Sequence, residues 1–573
     1  MRRPRSLTRL GVVPLLAMVV ALPTLWLPFL LDDWFHLLAL DGWLSGDPAH
    51  PFFAGWVDPY GLPNVFRFFE PGRGAEFMPW WSDPELSIRF WRPLSSLDAL
   101  FDRLVFGDDA MRWHAHSVFW YGLLVAAACS VFRVGLGRAA LIPALLYAID
   151  ETHFLPVAWL ANRNALIAGA LALFGLGAHL RWREEGSSAH GVLSLSMLAL
   201  GLLGGEAALG VFGYIGAYEL NRWRRDGVSA HLLPALVLGL VWAVHYKHHG
   251  FGSVGSGNYL DPTHQPIEYL SEITVRLPML VQAQFLGIPS DLGLFFSPSI
   301  VPLTGLGLAV MAGLAMSWRW LFPQFDEDER AALTWMLPGA LLSMFPVMAT
   351  FPIDRLLLLP GLGFSVLTAA VLRLAWRRRT WWVLGPGGVV HILVPLLMWF
   401  GGVAFYGSMS AQASRIVRSI ELPEQLAEKN ALVLVSSDPA VSIYLPMELR
   451  FQGRRLPEVW QILSMVKADH RVVGTADGWH LEALSNRMLT QVFELLFRNP
   501  SRAFAVGQRS ENLGLNVTVA ALAEGTPTAI DFSLDEPDDW VWLSWTANGL
   551  VEIQPPAPGE VQDLPWAAGP MGI

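Results

Sequence analysis

The sequence contains a series of apolar stretches, most of them about as long as a membrane-spanning helix, separated by short polar segments. A helix needs about 20 residues to cross the hydrocarbon core of a bilayer. Hydrophobic residues make up 53% of the 573-residue chain and charged residues only 15%, whereas a soluble domain carries roughly 25% charged residues. We therefore predict a polytopic α-helical membrane protein with about eleven spans. The apolar stretches are 10–31, 114–132, 139–152, 155–180, 191–205, 207–220, 230–246, 300–320, 331–350, 353–374 and 382–406.

The first apolar stretch, from Leu10 to Leu31, follows the four arginines Arg2, Arg3, Arg5 and Arg9, as the apolar core of a signal peptide follows its basic start. That core is only about 7–15 residues long and is followed by a cleavage site of small residues. The stretch in this chain is longer and has no such site. We therefore predict a retained first helix.

Basic residues between the apolar stretches indicate which loops face the cytoplasm, because cytoplasmic loops carry an excess of lysine and arginine. With a cytoplasmic N-terminus, every basic cluster falls on the cytoplasmic side. These residues are Arg133, Arg138, Arg181, Arg183, Arg222, Arg224, Arg225, Arg319, Arg377, Arg378 and Arg379. Eleven spans then place the C-terminal part outside the cytoplasm, in an integral protein of the inner or plasma membrane.

Two other features of the composition exclude whole classes of protein. The single cysteine, Cys129, cannot form an intrachain disulfide or a cysteine-rich metal site. The net charge of −10 argues against nucleic acid as a partner.

Two long segments, 32–112 and 247–298, are predicted to lie on the outer side. Residues 91–106 place leucines and a phenylalanine at helical spacing, which is typical of an amphipathic helix in the membrane interface. Residues 267–285 favour a second such helix. Tryptophans near predicted span ends are interpreted as an interfacial aromatic belt. They are Trp26, Trp34, Trp80, Trp81, Trp381 and Trp382.

The composition changes near residue 411, so we predict a membrane domain over 1–410 and a soluble extracytoplasmic domain over 411–573. The C-terminal region contains 12 basic and 20 acidic residues, a net charge of −8, which is most of the imbalance of the chain. Residues 431–437 and 540–546 have the pattern of buried strands, and residues 481–497 that of a helix. The expected domain is mixed α/β.

The pair Asp32-Asp33, directly after the first span, is the sharpest candidate for chemistry. Carboxylates beside a medium of low dielectric constant can have raised pKa values, and one of them could act as a general base or bind a metal. The alternative is a polar end to the helix.

Further charged and histidine residues fall at the predicted outer ends of later spans. Arg163 lies about two turns into a span and needs an anionic partner, such as Asp150, Glu151 or a phosphate. Asp354 and Arg355 could instead pair with each other. The full set on the outer side is Asp32, Asp33, Arg92, His114, His153, Arg163, Glu206, Asp354 and Arg355. An outer cavity with carboxylates and arginines suits a lipid that carries a phosphate.

These residues resemble motifs of the GT-C superfamily of membrane glycosyltransferases, and most of all its protein O-mannosyltransferase branch. That branch has an acidic pair after the first span, as Asp32-Asp33 here, followed by an Arg-Pro-Leu segment, as Arg92-Pro93-Leu94. A histidine near the start of the next span is similar to His114.

Later motifs extend the resemblance to roughly residues 10–375. A His-x-x-x-Val-Ala-Trp-x-x-Asn-Arg segment is similar to His153 with 157–163, and a Lys-Glu pair matches only in Glu206. A Glu-Arg-Tyr segment followed by Pro-x-x-Gly-Phe is similar to Asp354-Arg355 with Pro360, Gly363 and Phe364. The chain departs from the pattern at Leu155, Gly205 and Asp354, where the family often has Glu, Lys and Glu, and it lacks the TPR tail of some members.

The resemblance implies transfer of a sugar from a polyprenyl-phosphate or pyrophosphate carrier to a hydroxyl of a protein or glycolipid acceptor, with inversion. Asp32 or Asp33 would be the base, and Arg163 and Arg355 would bind the departing phosphate. Arg92, His114, His153, Glu206 and Asp354 would complete the substrate site. A phosphate leaving group needs no general acid, so one base carboxylate suffices, unlike the acid/base pair of most glycosidases. No cofactor is required, although a divalent metal would be compatible with the site.

Two other functions stay open at this stage. A transporter or flippase of a lipid-linked substrate would also need charges in the membrane, although it would be expected to show inverted repeats, and none is visible. A catalytically inactive GT-C scaffold, whose outer domain binds a partner, would explain the lost Lys and Glu.

Overall fold

The computed structural model describes residues 10–46, 57–71, 76–227, 229–420 and 422–570. The arginines that precede the first apolar stretch, and parts of the segment 32–112, lie outside these residues. The described elements fall into a helical part up to residue 419 and a β-rich part after it.

Up to His248, the described residues form helices, with two short strands between the second and the third of them. In chain order these elements are α1 (Val13–Ala21), α2 (Asp33–Ser45), β1 (Arg67–Phe69), β2 (Ser87–Arg89), α3 (Pro93–Phe106), α4 (Ala110–Leu136), α5 (Leu141–Ile149), α6 (Phe154–Ala158), α7 (Asn164–Glu185), α8 (Ser188–Gly204), α9 (Leu209–Asp226) and α10 (Leu232–His248).

The helical part continues to residue 419 after a third short strand. Its elements are β3 (Gly252–Val254), α11 (Pro266–Leu286), α12 (Leu292–Phe295), α13 (Ile300–Leu321), α14 (Glu327–Val347), α15 (Pro360–Arg378), α16 (Trp381–Gly388) and α17 (Val394–Ser419).

Each predicted apolar stretch contains a helix. By length and composition, four helical segments of the described residues can cross a membrane: Ala110–Ile149, Leu160–Glu185, Ser297–Gln324 and Trp381–Val417. Three shorter apolar helices are Val13–Trp26, Ser188–Gly204 and Leu232–His248. The number of eleven spans, and the side on which each loop lies, therefore stay predictions.

Glycines allow two helix pairs to pack closely. A Cβ atom on Gly363 would lie 2.3 Å from the carbonyl oxygen of Met336, and one on Gly307 would lie 1.9 Å from that of Pro278. Small residues at crossings let helix backbones approach in membrane proteins. These two glycines therefore bring α15 against α14, and α13 against α11.

The two predicted outer segments meet in a small antiparallel sheet of strand order β1-β2-β3. The amphipathic helix expected at 91–106 is α3. Its exposed face carries Leu97, Phe101, Leu104 and Val105, whereas its buried face carries Ser95, Ser96, Ala99 and Asp102. A helix with an apolar exposed face suits a lipid-facing position, with its polar face turned to the protein.

The C-terminal part consists of two sheets and is richer in strand than the predicted mixed α/β domain. Its elements are β4 (Asn430–Val435), α18 (Leu445–Phe451), β5 (Trp460–Ser464), β6 (His470–Gly474), β7 (Trp479–Ala483), α19 (Val492–Leu495), β8 (Arg509–Asn512), β9 (Leu515–Ala523), β10 (Thr526–Leu534), β11 (Trp540–Thr546), β12 (Gly549–Glu552) and β13 (Val561–Leu564).

One sheet has the order β13-β6-β7-β10-β9-β8, and all its neighbouring strands are antiparallel. The other has the order β12-β11-β4-β5, with β4 parallel to both neighbours. The strands predicted at 431–437 and 540–546 are β4 and β11. The continuous helix predicted over 481–497 is wrong, because β7 covers its start and pairs with β6 and β10 on both edges. Of the helices, only the short α19 lies within that range.

Trp80 and Trp81 do not belong to an aromatic belt, in contrast to the prediction. Both are buried between the outer segment and the C-terminal domain. The indole of Trp80 donates to the carbonyl of Leu463 at 2.9 Å, and that of Trp81 donates to the carbonyl of Glu494 at 3.3 Å. The two tryptophans thus attach the C-terminal domain to the helical part.

The predicted topology can be tested by cysteine labelling, because the native Cys129 is buried and contributes little background. We expect a membrane-impermeant maleimide to label Ala476→Cys in intact cells, since Ala476 is exposed in the C-terminal domain. Arg224→Cys, in a predicted cytoplasmic loop, should react only after the cells are opened. The reverse pattern would invert the orientation.

Candidate functional site

A cavity of ≈ 430 Å³ lies where the predicted outer ends of α7, α9, α10, α14 and α15 converge. Of the charged residues predicted for the site, Asp32, Arg92, Glu206 and Arg355 line it. Most of the remaining wall is aromatic or aliphatic. Such a lining is typical of a small-molecule site, in which a few polar groups set orientation.

Asp32 is a carboxylate of the cavity wall, at the start of α2. One of its oxygens, Oδ1, accepts a hydrogen bond of 2.8 Å from the hydroxyl of Tyr444. Burial raises the pKa of Asp32, while the Tyr444 hydrogen bond and the positive charge of Arg355 act in the opposite direction. A carboxylate with a raised pKa that faces a cavity is suited to accept a proton near neutral pH.

Arg355 is the cation that the cavity offers to a ligand. Its guanidinium lies 4.8 Å from the ring centre of Trp159 and forms no ion pair with any described residue. Its Nε atom is buried without a hydrogen-bond partner. By contrast, Lys247 in the same wall is already paired with Asp261. A planar guanidinium without a carboxylate partner matches the geometry of a phosphate.

Arg92 and Glu206 form one hydrogen-bonded chain along another wall. Arg92 Nε lies 2.6 Å from Glu206 Oε2, and the hydroxyl of Tyr246 donates to Glu206 Oε1 at 2.9 Å. The Arg92 guanidinium also lies 4.5 Å from the ring centre of Phe90 and 4.7 Å from that of Phe66. Arg92 is therefore held in place by cation–π contacts and an ion pair.

Asp33 does not face the cavity, although it follows Asp32 directly. Its two oxygens accept backbone hydrogen bonds from Leu30 at 2.8 Å and from Ala161 at 2.7 Å. Burial raises the pKa of Asp33 to about 8, against the effect of these hydrogen bonds. Asp33 therefore ties the end of the first helical segment to the loop before α7.

Arg163 is also outside the cavity, and its anionic partners are not the ones expected. Its guanidinium lies 3.0 Å from Asp98 and 2.5 Å from Asp102, both on the buried side of α3. Nδ1 of His116 lies 2.6 Å from the same Asp102. The spacing of four residues between the two aspartates, in the amphipathic helix predicted at 91–106, was the available sequence signal.

The two histidines predicted for the site are buried elsewhere. His114 lies in α4 against the backbone of residues 27–28. His153 Nδ1 lies 3.3 Å from the hydroxyl of Tyr121, and its ring packs edge-on against Tyr147 at 4.5 Å. Both histidines fill the helical core beside the cavity.

Asp354 points away from Arg355, so the pairing considered from the sequence does not form. Its Oδ1 accepts hydrogen bonds from the amide and the hydroxyl of Ser290, at 2.9 and 2.6 Å. Asp354 thus fixes the loop before α12 and leaves Arg355 directed at the cavity.

Asp98, Asp102 and His116 bring possible metal-binding atoms within 4.8 Å of one another. The guanidinium of Arg163 already lies against both carboxylates. The positive charge that a metal would supply is therefore present in the protein itself, so the cluster fits a structural ion network better than a metal site.

No protein-family model matches the chain, and no curated protein sequence matches it. Solved structures to which it is similar include ArnT from Cupriavidus metallidurans bound to undecaprenyl phosphate, at 14% identity and a TM-score of 0.39, over 82% of this chain and 86% of that one. The apo state of ArnT is similar at 16% identity and a TM-score of 0.34, over 77% and 84% of the two chains.

Arg163 and Arg355 should differ sharply in their effect on stability. Arg163→Ala leaves two buried carboxylates without their cation, so we expect the free energy of unfolding to fall by about 3–5 kcal/mol. Arg355→Ala removes no ion pair, only the cation–π contact with Trp159, and should cost about 1–2 kcal/mol. Denaturant unfolding in detergent, followed by tryptophan fluorescence, measures both. Equal losses would contradict the assignment of Arg163 to the structural network.

Proposed function

We propose that this protein is a membrane glycosyltransferase of the GT-C type, which moves a sugar from a polyprenyl-phosphate carrier to an acceptor hydroxyl. The observation that carries the proposal is that Asp32 and the unpaired Arg355 line the same cavity. A base and a phosphate-binding cation are the two groups that such a transfer needs most. The resemblance of residues 10–375 to the superfamily supports the same reaction.

The donor is bound, in this proposal, with its phosphate against Arg355 and its sugar beside Asp32. The apolar walls contributed by Leu209, Trp242, Pro346 and Val347 suit the polyprenyl chain. The aromatic rings of Phe66 and Phe90 lie nearer to Arg92 and suit the sugar or the acceptor. The link to the O-mannosyltransferase branch follows from the resemblance alone.

The reaction needs one base and one cation. The Asp32 carboxylate takes the proton of the acceptor hydroxyl, and the hydroxyl oxygen attacks the anomeric carbon from the side opposite the phosphate. The bond between this carbon and the phosphate oxygen breaks, and both electrons remain on the phosphate. Arg355 stabilises the charge that develops there. Polyprenyl phosphate and the inverted glycoside leave, and Asp32 returns its proton to water.

Asp33, Arg163 and Asp354 support this arrangement from outside the cavity. Asp33 fixes the backbone around Asp32, and Arg163 holds the buried face of α3. No metal has a step in this scheme, because Arg355 supplies the charge that neutralises the phosphate. The outer side of the inner or plasma membrane remains our proposal for the location of the cavity and the C-terminal domain.

Substitution of the two cavity groups should separate catalysis from binding. Asp32→Asn should lower kcat by about 10²–10⁴-fold, the usual contribution of a general base. Arg355→Gln should weaken binding of undecaprenyl phosphate by about tenfold or more, because a charged hydrogen-bond partner is lost. The kcat effect is measured as release of polyprenyl phosphate from a lipid-linked sugar. The binding effect is measured with undecaprenyl phosphate in detergent.

Asp531→Asn provides a matched control, since Asp531 is exposed on β10 and pairs with His480. It should behave as the wild type in both assays. Full turnover by Asp32→Asn would contradict the role of Asp32. Translocation of the lipid without release of polyprenyl phosphate would favour a transporter instead.

The rate should depend on pH through Asp32. Burial raises its pKa, and the base acts only when ionised, so kcat should be constant above this pKa and fall as the pH decreases through it. The acid limb of the kcat profile should therefore lie above the ordinary pKa of an aspartate, about 3.9. A kcat that stays constant down to a pH of about 3.9 would exclude a buried carboxylate as the base.

A further inference from the structure

The C-terminal domain reaches the cavity through the side chain of Tyr444. Its hydroxyl donates the 2.8 Å hydrogen bond to Oδ1 of Asp32, across 412 residues of sequence. Asp32 is joined directly to α2, and α18 begins directly after Tyr444. The contact between the tyrosine and the carboxylate therefore depends on how α18 packs against α2.

Aromatic and aliphatic contacts fix that packing next to Asp32. The ring of Tyr444 lies edge-on to that of Phe35, with centres 6.4 Å apart, and the rings of Trp34 and Phe451 lie 5.1 Å apart. Met447 is buried in the same cluster. The hydroxyl of Tyr444 is thus held by a built apolar interface.

The same domain also forms hydrogen bonds to the loop of residues 257–259, which contributes Tyr259 to the cavity wall. Leu495 accepts a backbone hydrogen bond of 2.8 Å from Gly257, and Val492 accepts one of 2.8 Å from the side-chain amide of Asn258. The next residue, Tyr259, lines the cavity. The C-terminal domain therefore contacts the cavity wall from outside at two separate places, at Asp32 and beside Tyr259.

We propose that the C-terminal domain completes the active site, and that Tyr444 is a positioning residue that orients the Asp32 carboxylate toward the acceptor. This inference rests on the proposed function, in which Asp32 is the base. The phenol occupies one oxygen of the carboxylate, which leaves the other free to take the acceptor proton. A hydrogen bond to the ionised form also favours that form.

The groups that act on Asp32 come from several elements. Asp33 follows it in the chain, Arg355 and Tyr259 face it across the cavity, and Tyr444 contacts it from the C-terminal domain. Loss of the Tyr444 hydroxyl removes one of these four influences on the pKa of Asp32 and leaves the other three groups in place. Its effect should therefore appear as a change in the pH at which Asp32 titrates.

Tyr444→Phe tests this inference, because it keeps the ring against Phe35 and removes only the hydroxyl. We expect the acid limb of the kcat profile to move up by about one pH unit. At pH values below the pKa of Asp32 in the wild type, kcat of the variant should be about tenfold lower than that of the wild type. Its KM for the donor should change less than about twofold. Tyr218→Phe is the matched control, since Tyr218 packs on Trp335 in the core, away from the cavity.

A second measurement needs no turnover. Infrared spectroscopy follows the carboxyl stretch of Asp32 during a pH titration, and the band is assigned by its loss in Asp32→Asn. We expect its midpoint to rise in Tyr444→Phe and to be unchanged in Tyr218→Phe. Equal midpoints in Tyr444→Phe and the wild type would overturn the inference.

The two hypotheses fail in different ways. If Asp32→Asn retains turnover, the proposed base is wrong, whatever Tyr444 does. If Asp32→Asn is inactive but Tyr444→Phe equals the wild type in both titrations, the base stands and only the role of the C-terminal domain is overturned.

Discussion

Burial of charge beside an apolar environment is the constraint on which the cavity and the residues around it depend. A carboxylate or guanidinium taken out of water needs a partner of opposite charge or several hydrogen bonds. Arg163 forms ion pairs with Asp98 and Asp102, and Arg92 forms one with Glu206. The carboxylate of Asp33 accepts hydrogen bonds from backbone amides. These pairings connect the ends of helices that are far apart in sequence, and so define the shape of the cavity.

Arg355 differs from the other buried cations because a ring, and no carboxylate, covers its guanidinium among the described residues. Asp354 would be its simplest partner, but it turns to Ser290 instead. The protein therefore keeps one positive charge available in a partly apolar cavity, with Asp32 near it. This combination suits an anionic lipid headgroup better than it suits structural stabilisation.

The C-terminal domain is bound to the helical part through many separate contacts. Trp80 and Trp81 donate to its backbone, Tyr444 contacts Asp32, and the loop before Tyr259 is hydrogen-bonded to α19. These contacts involve Asp32 and the loop before Tyr259, and both Asp32 and Tyr259 line the cavity. The domain therefore contacts residues of the cavity wall from outside the cavity, rather than being a separate module attached by a linker.

The sequence by itself determined the helical positions, because an apolar stretch of sufficient length forms a helix wherever its neighbours lie. It also identified Asp32, Arg92, Glu206 and Arg355 as candidates. Only the tertiary structure decided which charges face the cavity and which pair with each other, since adjacent residues such as Asp32 and Asp33 point in different directions. The sequence around Tyr444 gave no indication that this residue contacts Asp32, because the contact depends on packing between segments 412 residues apart. The helix expected at 481–497 was wrong for the same reason: β7 forms there because strands on both sides supply the hydrogen bonds.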